Sequence, residues 1–164
     1  MKKPVQAAAI GEVPSPADLQ AVTEQLGRTP GGEFAVVVRG PEGRPVVIAN
    51  EPLLRDGTPM PTRYWLVDPE LRALVSRLEA EGGVREAADA VPPHLIEDAH
   101  RRYAAERDAL IGAHWTGPRP AGGVGGTRIG VKCIHAHVAW WLAGGNDPVG
   151  AWAAERLQLT RQLP

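Results

Sequence analysis

Phe34-Ala-Val-Val-Val38 and Val46-Val-Ile48, separated by Gly40-Pro-Glu-Gly43, decide the fold. Both runs are β-branched and the punctuation between them reverses the chain, so together they read as a β-hairpin. Tyr64-Trp-Leu-Val67 supplies a third strand after a proline-restrained loop over 51–63. Elsewhere helical signals dominate. Ser15-Pro16 places a cap and then a proline at the first turn, and Leu19, Val22 and Leu26 form an apolar stripe that Gly27 stops. Asp68-Pro69 opens a second helix with Leu71, Leu74, Val75 and Leu78 at three- and four-residue spacing, ended by Gly82-Gly83. A short helical piece over 84–91 precedes Pro92-Pro93, and the longest helix then runs about 19 residues to Ile111. Residues 131–143 read as helix because of Ala136, Ala139 and Ala143, and Asn146-Asp-Pro148 opens a last one to about Leu159. Strands come first and helices afterwards. That segregation predicts an α+β fold, a small antiparallel sheet of a hairpin plus a third strand packed with about five helices. Residues 1–14 lack a period and read as a flexible lead-in, leaving 15–164 as a single domain.

Composition narrows the function classes. In 164 residues, 18 Lys plus Arg stand against 19 Asp plus Glu, a formal charge of −1. That balance argues against a nucleic-acid partner and against a polybasic membrane binder. The longest apolar stretch, 138–143, is far short of the roughly 18 residues of a spanning helix. Gln6, Gly11 and Glu12 interrupt what would be a secretory signal, so a cytoplasmic location is expected. A single cysteine, Cys133, excludes an internal disulfide and leaves its thiol to packing, chemistry or metal ligation.

The segment around it concentrates polar chemistry: Gly122-Gly-Val-Gly-Gly-Thr-Arg-Ile-Gly-Val-Lys-Cys-Ile-His-Ala-His137. Glycines let backbone N–H groups turn toward a ligand, the following helix presents its positive end, and Arg128 and Lys132 add charge at the entry. An anion site is the expectation, although the spacing is not that of a Walker A loop. In a helix over 131–143, Cys133 and His137 share a stripe and His135 faces away; in an extended segment all three side chains share a face. A thiol near a helix N-terminus, an imidazole and Lys132 tends toward thiolate, the form that attacks or ligates. Two local ligands are too few for zinc, and His94, His100 and His114 show no tight Cys/His spacing, so no metal ligands are assigned. Asp56, Thr58 and Arg63 are the polar groups of the proline-restrained loop, and His100, Tyr103 and Arg107 share a face of the long helix. Trp65, Trp115, Trp140, Trp141 and Trp152 include candidates for a partner contact.

Several stretches together resemble the bacterial domain of unknown function 501 family. They are Leu26-Gly27-Arg28, Asp56-Gly-Thr-Pro-Met-Pro-Thr-Arg-Tyr-Trp-Leu66, Ser76-Arg-Leu-Glu-Ala80, the His100/Tyr103/Arg107-Asp108 helix, Val131-Lys-Cys-Ile-His135 and Asn146-Asp-Pro-Val-Gly150. Met60 stands where that pattern has an aromatic residue, and His137 lies outside it, which leaves Lys132, Cys133 and His135 as the residues carried over. The resemblance implies a cytoplasmic protein of actinobacterial type, a gene context near cell division and polyphosphate metabolism, and no established activity. The leading expectation is a small anionic, phosphate-like ligand held by Arg128, Lys132 and the glycine backbone. Arg63, Asp56, His100 and Arg107 are added from other elements, and Cys133 and His135 are the reactive or proton-transferring groups. The alternatives are a protein-protein interaction module linked to cell division and a zinc-binding protein.

Overall fold

In the computed structural model, which describes residues 11–161, one antiparallel sheet is built from β1 (Phe34–Arg39), β2 (Pro45–Asn50) and β3 (Tyr64–Leu66), in that spatial order. β2 is central and buried at all six positions, because both faces of the sheet are covered. On one face, α1 (Pro16–Leu26) sets Val22 against Phe34, Val36, Ile48 and Val67. On the other, Val47, Ala49, Tyr64 and Leu66 join Tyr103, Ile134, Val138 and Trp140 in the larger core cluster. Val22 is fully buried, worth about 1.5–3 kcal/mol relative to an exposed side chain. The period-2 alternation of a strand therefore serves two cores here, and Ile48 between Val47 and Ala49 is the hinge of that division.

The expected α+β architecture is present. Five further helices follow the sheet: α2 (Pro69–Ala80), α3 (Gly83–Ala90), α4 (Pro93–Asp108), α5 (Ile134–Leu142) and α6 (Pro148–Arg156). The local start signals work as the sequence implies: Asp68 accepts from the Leu71 amide at 2.9 Å, and Asp147 accepts from Val149 and Gly150 at 2.9 and 3.0 Å. Three helices are shorter than their sequence signals. α4 stops at Asp108 and α6 at Arg156, each followed by a turn, and α5 begins at Ile134 instead of 131. Cys133 is extended, at φ −143° and ψ 115°, so the helix can begin only after it. Of the lead-in, residues 1–10 lie outside the described residues, while Glu12 pairs with Val36 in both directions at 2.8 and 2.9 Å. Among the described residues no helix is long and apolar enough to cross a membrane.

α1 is tied to the sheet by charge as well as by Val22. Ser15 and Asp18 cap the helix reciprocally, and Arg39 of β1 donates to both Asp18 oxygens at 2.8 and 3.0 Å. The Arg39 guanidinium holds the Asp18 carboxyl well below the usual carboxylate range. Its stabilisation is complete above the unfolded-chain value of about 3.9 and is lost as pH falls below it. Asp18→Asn should cost about 1–3 kcal/mol at neutral pH. In urea unfolding at stepped pH, the variant should also lose less stability than the wild type between about pH 5 and pH 2. Equal acid sensitivity of the two proteins would contradict this.

Candidate functional site

A cleft of about 630 Å³ lies between α2, β3 and the start of α5. Its apolar wall comes from Leu26, Trp65, Leu66, Ala73 and Ala136, and its polar groups from Arg28, Arg72, Ser76, Cys133 and His135. Gly125 of the glycine-rich loop closes one side, and Tyr64 is fixed beneath by its hydroxyl, which donates to Glu106. Glu106 also accepts from the Trp140 indole at 3.2 Å, so one carboxylate of α4 aligns β3 with α5.

Cys133 is the N-cap residue of α5, extended at φ −143° and ψ 115°, and its side chain makes no capping bond. The acceptor for the first helical amide is Glu79 of α2, which takes the Ile134 N–H at 2.6 Å. A helix N-terminus favours an anion, and here the anion is part of the chain. His135 lies against the same carboxylate, its Nδ1 3.1 Å from Glu79 Oε1 and 3.8 Å from Cys133 Sγ. Its Nε2 is 3.2 Å from Ser76 Oγ and 3.3 Å from the Arg72 carbonyl. The Cys133 contact, reinforced by Glu79 against the opposing effect of burial, raises His135 to about 9.

A helix over 131–143 puts His137 on the cysteine stripe, and the structure does otherwise. With the helix beginning one residue after it, Cys133 escapes helical spacing and meets His135. His137 turns into the core, 1% exposed, with its Nδ1 2.7 Å from Asp147 Oδ2.

The cations and glycines of the expected anion cradle are distributed differently from the sequence picture. Arg128 and Lys132 are exposed and do not line the cleft. Asp56 is an exposed turn residue whose carboxylate accepts the Thr58 amide at 2.9 Å, which lowers its pKa. Arg63 is 4% exposed and donates to the Asn50 carbonyl. Arg107, 1% exposed, donates to the Pro61 and Gly122 carbonyls at 3.1 and 3.0 Å, pinning the proline-restrained loop and the glycine-rich loop to α4. The glycine-rich loop turns its own donors inward, with Gly123 N–H to Thr127 O, Gly126 N–H to Gly123 O and Thr127 N–H to Val124 O. His100 closes it. Its Nε2 donates to the Gly130 carbonyl at 2.8 Å and its Nδ1 accepts the Val124 amide at 3.1 Å. Gly123 is required by that clamp, since a Cβ there would sit 2.4 Å from His100 Cβ. Trp140 is 3% exposed and belongs to the core, while Trp152 is half-buried beneath the Arg156 guanidinium.

The residue-type reading missed Glu79, Ser76, Arg72 and Arg28. A signal existed for Arg28, Ser76 and Glu79, because Leu26-Gly27-Arg28 and Ser76-Arg-Leu-Glu-Ala80 belong to the stretches that carry the family resemblance. Those stretches converge on the cleft together with residues 62–66 and 133–135.

Burial lowers the His100 pKa, and with Nδ1 already an acceptor the ring is held neutral. The unfolded chain takes up its proton first, at about pH 6.5, so the clamp's contribution is complete above that value and declines as pH falls below it. His100→Ala should destabilise by about 2–4 kcal/mol through lost packing and two lost hydrogen bonds. It should also flatten the pH dependence of stability between about 7 and 5, read by chemical denaturation. An unchanged slope would refute the clamp.

No curated protein and no solved structure matches the chain. A family model described as "Protein of unknown function (DUF501)" matches residues 36–155, which include most of the sheet, the cleft lining apart from Leu26 and Arg28, and the Cys133–His135 pair. The chain belongs to that family.

Proposed function

We propose that this protein binds a small molecule with an apolar body and an anionic group in the cleft between α2, β3 and α5, with Cys133 and His135 at its reactive end. The observation that carries the reading is the composition of one cavity. A 630 Å³ space combines the Trp65 face and aliphatic side chains with the guanidinium groups of Arg28 and Arg72 and with the thiol–imidazole pair. Pockets of that size and mixture are where small ligands are held, the apolar wall supplying affinity and a few polar groups supplying orientation. Arg28 lies 5.4 Å above the Trp65 ring, which fixes its charge at the mouth. Arg72 uses Nη1 on the Gln25 carbonyl, leaving its other guanidinium donors for an anion. The sequence-level candidates Arg128 and Lys132 would act only as an exposed rim.

At the far end, His135 beside the Cys133 thiol is placed to exchange a proton with a ligand, and Glu79 keeps the ring oriented. Arg63, His100 and Arg107 support the reading indirectly, since they hold the loops that wall the cleft.

Phenyl phosphate, an aromatic body with one anionic group, is the probe for calorimetric titration of metal-free protein. Binding is expected in the wild type, about tenfold weaker in Arg72→Ala, as for the loss of a charged hydrogen bond. It should be unchanged in Arg128→Ala. No heat from the wild type, or equal loss in both variants, would overturn the cleft as the ligand site.

A further inference from the structure

We infer that Glu79, Cys133 and His135 form a three-ligand site for a borderline divalent cation of the zinc class, with its fourth position open to the cleft. The three residues present a carboxylate oxygen, a thiol sulfur and an imidazole nitrogen, all within 4.8 Å of one another. A four-coordinate zinc with Zn–S of about 2.3 Å and Zn–N or Zn–O of about 2.05 Å has tetrahedral edges of about 3.6 Å for S···N and about 3.3 Å for N···O. The observed edges are 3.8 Å from Cys133 Sγ to His135 Nδ1 and 3.1 Å from His135 Nδ1 to Glu79 Oε1. These two edges lie within about 0.2 Å of the tetrahedral values, and the third, from Cys133 Sγ to the Glu79 carboxylate, is under 4.8 Å.

The surroundings of each ligand fit the same role. A ligating imidazole must be neutral and normally donates its other N–H to a carbonyl or hydroxyl, which fixes the ring. With Nδ1 on the metal, Nε2–H of His135 faces the Arg72 carbonyl at 3.3 Å and Ser76 Oγ at 3.2 Å. Glu79 Oε1 also accepts the Ile134 amide at 2.6 Å, which orients the ligating carboxylate. Thiol and imidazole together select a borderline-soft cation over magnesium or calcium, which take oxygen shells. A set of three protein ligands is the pattern of sites that keep one position for water or a ligand. Cys133 and His135 both line the cleft, so that position faces it. On binding, Cys133 gives up its thiol proton and the metal takes its place on the sulfur.

The inference deepens the proposed function, in that a cation here would meet the anionic or polar end of the ligand, and it changes Cys133 and His135 from reacting groups to metal ligands. It does not depend on the anion being bound.

The test uses full-length, untagged protein stripped with chelator and titrated with Co(II) and then Zn(II), without any anionic ligand. One ion per chain is expected, with the intense visible bands of four-coordinate cobalt and a near-ultraviolet thiolate-to-metal band. Zinc should displace it. Cys133→Ser should abolish the thiolate band, and His135→Gln and Glu79→Gln should each weaken binding at least tenfold. Glu79→Gln retains an acceptor for the Ile134 amide, and thermal unfolding of each variant separates lost ligation from lost folding. His114→Ala, away from the cleft, should bind as the wild type does. Substoichiometric cobalt uptake, octahedral spectra, or a thiolate band that survives in Cys133→Ser would each overturn the site. Because phenyl phosphate is titrated into metal-free protein and metal into ligand-free protein, either reading can fail alone.

Discussion

A helix that starts on a residue without a capping side chain has to find an acceptor elsewhere, and α5 finds it 55 residues upstream in Glu79. That single carboxylate-to-amide bond joins the last turn of α2 to the first turn of α5 and closes the cleft between them. It also determines where His135 lies, because the ring packs on the same carboxylate. The bond is charge-assisted and half-buried, the regime in which a hydrogen bond contributes more than the usual 1 kcal/mol or so. Glu79 thereby acts as cap, ring anchor and candidate ligand at once.

The fold was largely legible in the sequence because its determinants are local. Ser15-Pro16, Asp68-Pro69 and Asp147-Pro148 each combine a capping oxygen with a proline at the first turn, and each opens a helix in the structure. The β-branched runs and their glycine punctuation gave the strands for the same reason. Helix ends were less legible. The start of α5 depends on an extended Cys133, on Glu79 taking the Ile134 amide and on a loop pinned by His100 and Arg107, contacts that no window of sequence contains.

The site was legible in part. Cys133 and His135 stand together and their segment could be singled out, but residue type does not reveal direction. His100, Arg63 and Arg107 are polar groups on suggestive elements, yet each is spent inside the protein on backbone carbonyls. Burial explains the choice of arginine: a planar guanidinium can satisfy several carbonyls from two loops at once, as Arg107 does for Pro61 and Gly122. Glu79 could not be paired with His135 from sequence, because that contact depends on how α2 and α5 cross the sheet.

The lone cysteine is best understood through the position it occupies. An N-cap residue is usually Ser, Thr, Asp or Asn, whose side-chain oxygen would accept an amide of the first turn. A serine at 133 would take that duty itself, drawing its side chain over the helix end and leaving Glu79 without its strongest partner. Sulfur is a weak acceptor, so Cys133 leaves the first amide to Glu79 and keeps its own side chain turned toward His135 at the cleft. The arrangement gives up a local cap in exchange for a carboxylate, an imidazole and a thiol brought to one place. Because α5 is held by a neighbour instead of by its own first residue, the chemistry at 133 and the stability of the helix rest on different side chains.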